Sequence, residues 1–281
     1  MKNRTLTDAD IAAYASFLRQ EERAPATIEN YLRDIRVFRR WLEDRAVTKE
    51  RVAEWKEHLL AKALAPATVN AKLSAVSGLL GFLGLGECRV KSVRIQRRVF
   101  RDEARELTRE EYRRLLNTAQ RQGLDRLLLL METICATGVR VSEVCHITVE
   151  ALRDMRADVA LKGKVRSILL PRKLCRKLLK YAKRKKITSG EIFRTRSGRP
   201  MSRGQIWREM KAICQAAGVA PSKVFPHNLR HLFATVFYRA SRDIAKLADL
   251  LGHSSIDTTR LYLMTTGAEH ARQLEQLDLI L

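Results

Sequence analysis

Acidic residues are what this chain of 281 residues has too few of. Its 31 Asp and Glu stand against 54 Lys and Arg, a formal net charge of +23, with a pI near 10.4. A surplus of that size asks for a polyanionic partner, nucleic acid first and an anionic membrane surface second. Cysteine is scarce too. The five (Cys88, Cys135, Cys145, Cys175, Cys214) are odd in number, scattered and without a CxxC. That argues against a disulfide framework and a zinc ribbon, and it fits a reducing, cytoplasmic setting. No apolar run approaches the roughly 18 residues of a membrane span. The opening MKNRTLTDADIAAYASFL carries acids early and no small-residue cleavage site after an apolar stretch, so no signal peptide is expected. Hydrophobic residues at 46% and charged residues at 30% are ordinary globular usage and exclude wholesale disorder. At about 100–200 residues per domain, the length predicts two domains.

What is present reads as a mainly α chain with one small antiparallel β-sheet. Residues 8–85 carry four helical stripes and no strand signal: Ile11, Tyr14, Ala15 and Leu18; then Ile28, Tyr31, Leu32, Ile35, Phe38, Trp41 and Leu42; then Val52, Trp55, Leu59 and Leu60; then Val69, Leu73, Val76, Leu79 and Leu80. The second and fourth start alike, at Ala24-Pro25-Ala26-Thr27 and Ala65-Pro66-Ala67-Thr68, with proline where its missing N–H costs nothing. Arg33, Arg36, Arg39, Arg40, Lys62 and Lys72 are expected on the solvent faces. Periodicity then fails over 84–106. The expected organisation is a helical domain over 1–91, a linker over 92–104 and a second domain over 105–281. The linker's arginines and lysines suit either a strap across phosphates or a solvated tether.

The second domain opens with a capping box, Thr108 to Glu111, and a second box joins Ser202 to Gln205. Between them, Asp158–Leu161 and Lys164–Pro171 flank a Lys-Gly turn and predict a hairpin. From Asp158 to Glu191 no acid intervenes among twelve Lys and Arg. Within 172–186, Leu174, Leu178, Leu179 and Ala182 can face a core and leave the basic residues outward. A face of one sign supports phosphate contact, since solvated faces normally mix signs. Three more helices are expected over 227–240, 243–251 and 255–265.

Three segments carry chemistry. The first, Thr137-Gly138-Val139-Arg140-Val141-Ser142-Glu143, turns sharply at glycine and sets Arg140 beside Glu143. The second is His227-Asn228-Leu229-Arg230-His231, in which His227 and Arg230 share a helix face. His227 and His231 have zinc-like spacing, but no HExxH glutamate and no third ligand accompany them. The third runs Leu251-Gly252-His253 to Tyr262, with Tyr262 about two turns along the last helix. Taken singly, each residue is more often bland: a surface arginine, a core tyrosine.

Together the segments resemble the tyrosine recombinase, or phage-integrase, family. Its pattern is an Arg in TGxRxSE, a hairpin Lys, an HxxR pair, a His in LGH and a Tyr nine residues on. The matching positions are Arg140, Lys162 or Lys164, His227 with Arg230, His253 and Tyr262, and the likeness covers essentially the whole chain. The resemblance implies a core-binding (SAM-like) helical domain and a catalytic domain closing as a C-shaped clamp on double-stranded DNA. It implies a phosphodiester attacked by Tyr262, with Arg140 and Arg230 holding the charged oxygens, His253 donating and His227 as base. A lysine, Lys162 first and Lys164 second, protonates the leaving oxygen, with Glu143 supporting Arg140. The implied product is a 3′-phosphotyrosyl link that rejoins without ATP, metal or other cofactor. Two departures stand out: Leu232 replaces the usual Ser or Thr, and Leu161-Lys162-Gly163-Lys164-Val165-Arg166 is shorter than the frequent GKGxKxR.

No basic module precedes the first helices, which points to a simple-site enzyme of Xer, transposon or integron type. The amphipathic tail 268–281 would dock on a neighbouring protomer in a homo-tetramer, exchanging strands through a Holliday junction; the alternative is docking on its own domain. Rival readings are a type IB topoisomerase or telomere resolvase, and a non-catalytic architectural DNA-binding protein.

Overall fold

The computed structural model describes residues 4–95, 103–161, 164–253, 255–260, 262 and 275–276. The chain divides into two compact units, Met1–Arg97 and Arg98–Leu281.

The first unit is four helices: α1 (Asp8–Gln20), α2 (Pro25–Leu42), α3 (Lys49–Ala61) and α4 (Pro66–Phe82). Prolines open α2 and α4 in their first turn, where no side chain caps the helix. Thr7 and Asp10 cap α1 reciprocally. The stripes meet in one core around Ile35, Phe38, Leu42, Trp55, Val76 and Leu79, with the Phe38 and Trp55 rings 4.8 Å apart. Leu60 falls outside this core and is exposed. Lys72 departs from the expected solvent face. Its ammonium lies 2.8 Å from Asp34 with both side chains largely buried, because α2 presents that carboxylate inward to α4. Past α4 the chain stays tied to this unit: Asn70 exchanges two hydrogen bonds with the Val93 backbone.

The second unit begins with α5 (Arg109–Arg121), capped by Thr108 and Glu111, and α6 (Asp125–Thr137). A 3-10 turn over Val141–His146 leads to α7 (Val149–Arg153). Strands β1 (Arg156–Leu161) and β2 (Lys164–Leu169) form a two-stranded antiparallel sheet, with Ala157 opposite Ile168, Val159 opposite Arg166 and Leu161 opposite Lys164. Then follow α8 (Arg172–Arg184), α9 (Arg203–Ala212, with the Ser202–Gln205 box), α10 (Cys214–Ala217), α11 (Pro226–Ser241), α12 (Ile244–Leu251) and α13 (Ile256–Arg260). Helix α6 packs against both α5 and α11, and Leu127, Leu130, Met131 and Ile134 fill the core between them.

On α8 the core side carries Leu174, Cys175, Leu178, Tyr181 and Ala182. The basic face is less uniform than sequence order suggests. Helix α6 brings Glu132 to 2.5 Å from Lys177 and Asp125 to 2.6 Å from Arg184. Among the described residues no helix is long and apolar enough to cross a membrane.

Candidate active site

The site is assembled at the C-terminal ends of α6 and α12. Helix α6 stops at Gly138, which takes the left-handed conformation (φ 64°). A Cβ there would lie 2.5 Å from the Phe233 ring, so only glycine fits both the turn and the packing. Two residues on, Arg140 caps the 3-10 turn and Glu143 reaches back to it. The carboxylate accepts from the Arg140 backbone N–H at 2.9 Å and from its Nη1 at 2.8 Å.

Helix α12 ends in the same way at Gly252 (φ 61°). The last carbonyls of a helix lack internal partners and carry the negative end of its dipole. Here three consecutive ones are each taken by an arginine from a different part of the chain. Arg166 donates to Leu250 at 2.6 Å, Arg230 to Leu251 at 2.8 Å and Arg140 to Gly252 at 3.1 Å. Arg230 also donates to the Gly138 carbonyl, so one guanidinium ties both helix ends together. It is 2% exposed. Burial, then the charge of Arg140, pulls its pKa down to about 10 against a hydrogen bond with Tyr262. It stays a cation at neutral pH.

Glu143 is 1% exposed and lies between Arg140 and Arg166, whose Nη1 is 2.8 Å from its other oxygen. Burial alone would raise its carboxyl. The Arg140 hydrogen bonds and the two guanidinium charges overrule that and hold it below the usual carboxylate range.

His253 stands 2.9 Å from Arg230 through Nε2 and 2.9 Å from the Thr259 hydroxyl through Nδ1. Arginine only donates, so Nε2 accepts and Nδ1 carries the proton. Burial, followed by Arg230, Arg140 and Arg166, pushes the His253 pKa down to about 4 and keeps the ring neutral. His227, in the first turn of α11, is lowered as well, by burial and then by Arg230.

Tyr262 lies just past α13, held by its N–H to the Thr259 carbonyl at 2.9 Å. Tyr262 is a turn residue after α13 (Ile256–Arg260) rather than a residue two turns along a helix. Its ring is 6% exposed and surrounded by imidazoles, with centroids 5.5 Å from His227, 5.2 Å from His231 and 5.5 Å from His253. It also belongs to a small apolar cluster with Ala234, Leu247 and Leu251, so this tyrosine is packed as a core aromatic while its ring faces the imidazoles.

Arg140, His227, Arg230, His253 and Tyr262 are therefore brought together, with Glu143 behind Arg140. Lys162 lies outside the described residues. Lys164 is placed in register on β2, two residues before Arg166. Sequence reasoning missed His231, Arg166, Thr259 and the carbonyl acceptors. His231 had a signal, being one turn after His227 on α11, and Arg166 closes the shortened hairpin motif. A carbonyl has no side-chain signature at all. A cavity of about 750 Å³, lined by Arg126, Tyr181 and Arg194 at the other end of α6, shares no residue with this cluster. Among the described residues no three His, Cys, Asp or Glu side chains group as metal ligands would.

The model of the phage integrase family matches residues 105–268, more than half of the chain. The chain belongs to the phage integrase family. The integrase N-terminal SAM-like domain matches 11–84. This integrase is 28% identical to tyrosine recombinase XerA of Pyrococcus furiosus over 290 aligned residues, covering 100% of this chain and 98% of that one. It is 30% identical to tyrosine recombinase XerC of Erythrobacter litoralis, covering 73% of this chain and 71% of that one. A solved lambda integrase dimer bound to a COC′ core site has the same fold, with a TM-score of 0.75 at 20% identity, covering 92% of this chain and 95% of that one. In activity class this integrase is a tyrosine site-specific recombinase.

Proposed function

We propose that the chain binds duplex DNA at paired recombination sites and cuts and rejoins it through Tyr262. One observation carries this reading: a buried tyrosine bonded to a buried arginine, among imidazoles, at a point where three guanidiniums converge. A phosphodiester is anionic and repels nucleophiles, and attack adds charge to its non-bridging oxygens. Arg140 and Arg230 offer planar forks to those oxygens and remain charged at working pH. His227 is neutral and takes the phenol proton. The Tyr262 oxygen forms a bond to phosphorus as the bond to the 5′ oxygen breaks. The departing oxygen takes its proton from a hairpin lysine, Lys162 or Lys164. The product is a 3′-phosphotyrosyl link and a free 5′ hydroxyl. Bond energy is retained, so rejoining needs no ATP, and the guanidiniums supply the charge stabilisation a metal would.

In the resting geometry His253 accepts from Arg230 through Nε2, so donating to phosphate requires the ring proton to move from Nδ1 to Nε2, with the Thr259 hydroxyl then donating to Nδ1; Tyr262 occupies an Arg230 donor. An arriving phosphate oxygen takes over those donors and frees both side chains. The further steps are two protomers per site, four at a paired synapse, the 268–281 tail of each on its neighbour, and exchange through a Holliday junction. The domain limits fitting this reading are 1–91, 92–104 and 105–281.

The test uses a duplex recovered by binding selection from random-sequence DNA, nicked near the cleavage point so that the cut strand escapes. The wild-type chain is expected to give a denaturant-stable protein–DNA adduct. Tyr262→Phe is expected to bind equally and give none. An unchanged adduct yield in that variant would assign the nucleophile elsewhere.

A further inference from the structure

Arg166 takes no part in the reaction just described, yet it is placed as if the reaction depended on it. It sits on the inward face of β2, two residues from Ile168 on one side and two from Lys164 on the other. Strand periodicity puts Arg166 and Ile168 on one face. Ile168 is buried opposite Ala157, an ordinary apolar anchor, and Val159 opposite Arg166 is 1% exposed. At the next inward position the hairpin holds a guanidinium instead of another apolar group. Its side chain is 12% exposed, and its Nη1 and Nη2 reach Glu143 at 2.8 Å and the Leu250 carbonyl at 2.6 Å. Its aliphatic part lies so close under Gly252 that a Cβ there would be 2.3 Å from Cδ. Its Nε is buried without a hydrogen-bond partner.

As a stabilising device this is poor. A buried guanidinium sharing one carboxylate with a second arginine gains little over apolar packing, and the unpaired N–H adds a cost. As a positioning device it is well formed. A two-stranded hairpin is marginally stable by itself. Arg166 fastens β2 to the carboxylate that orients Arg140 and to the helix end that receives Arg140 and Arg230.

We propose that Arg166 is a positioning residue that registers the β1–β2 hairpin against the Arg140–Glu143 pair and the α12 C-terminus, and so sets the hairpin lysine where it protonates the leaving 5′ oxygen. This rests on the reading under Proposed function. It separates Arg166 from any role in holding DNA or in charging the phosphate oxygens.

The experiment compares two versions of the selected duplex, cleavage position mapped, one with the natural 5′ oxygen and one with sulfur at that bridging atom. A thiolate leaves without a proton donor, so sulfur relieves a defect in proton delivery and no other. At saturating DNA, Arg166→Gln is expected to slow cleavage of the oxygen substrate by about 100-fold, the scale of a misplaced reacting group. DNA affinity should stay unchanged, and sulfur should bring the rate within a few-fold of wild type. Arg166→Lys keeps a cation beside Glu143 and is expected to show a smaller loss, also relieved by sulfur. It carries the test if the glutamine variant fails to fold. Equal losses on both substrates would make Arg166 part of the Arg140 arrangement only, and no loss would make it structural; either overturns the proposal. Absence of any wild-type adduct would remove the underlying reading instead.

Discussion

The two units of this chain handle buried charge in opposite ways. The first is a helical core in which Asp34 and Lys72 form an inward ion pair, with Arg33 also donating to Asp34 from the surface. The second buries Glu143 and Arg230 to within 2% exposure and leaves the Arg166 side chain 12% exposed, with Arg230 bonded to Tyr262. Removing charges from water costs several kcal/mol per ion, and pairing rarely gains much over apolar packing. In the first unit the pair serves packing between α2 and α4. In the second, three arginines are spent on carbonyls of a single helix end and on one carboxylate, an arrangement that gains little for stability over apolar packing. Concentrated buried charge is what sets the second unit apart from the first.

That contrast can be broken most directly at Arg230. Replacing it with Gln keeps some hydrogen bonding to the Gly138 and Leu251 carbonyls but removes the charge. Cleavage at saturating DNA should fall by about 10²–10³-fold, the scale of losing one preorganised donor, and DNA affinity should hardly change. A loss in affinity alone would make Arg230 a binding residue. Glu143→Gln should cost less, about 10-fold to 100-fold in cleavage, because Arg140 keeps the Gly252 carbonyl. Single-turnover rates give both numbers.

In the first unit, Asp34→Ala strands the Lys72 ammonium and should destabilise by about 3 kcal/mol. Burial alone would raise the Asp34 carboxyl, but hydrogen bonds from Lys72 and Arg33 lower it, so the carboxylate is the form the fold holds. The loss should appear as faster hydrogen exchange in α2 and α4, with α6 and α11 still protected and the cleavage rate at saturating DNA unchanged. Matching loss of protection in α6 would show that the units do not divide the labour as argued.

A further effect is on the pH dependence of stability. An unfolded histidine titrates near about 6.5, whereas folded His253 is held down to about 4. Between those values the unfolded chain takes up a proton that the folded chain refuses. Stability is therefore present in full above the upper value and is lost as pH falls through the window. His253→Asn should flatten that decline in urea midpoints measured from pH 7 to 4. An unaltered slope would mean the ring is already charged in the fold.

How much of this was legible in advance depends on what kind of signal each feature leaves. The helices of the first unit follow from 3.6-residue periodicity, and Pro25 and Pro66 mark their starts to the residue. The hairpin and the boxes at Thr108 and Ser202 follow from local rules as well. The positions Arg140, His227, Arg230, His253 and Tyr262 were readable as an ordered set of motifs, while their convergence depends on contacts between segments up to 112 residues apart. The solvent placing of Lys72 failed because its partner, Asp34, lies 38 residues away on another helix. Arg166 was passed over because a basic residue in a basic stretch looks like more of the same. The carbonyls of Leu250, Leu251 and Gly252 leave no trace in sequence.

The central claim is that Tyr262 becomes joined to DNA phosphorus. Adduct trapped on the nicked duplex, digested with protease and nuclease, gives a peptide whose modified residue tandem mass spectrometry can name. The account predicts a nucleotide 3′-phosphate on Tyr262. The same modification on any other residue, or adduct surviving with Tyr262 unmodified, would contradict it.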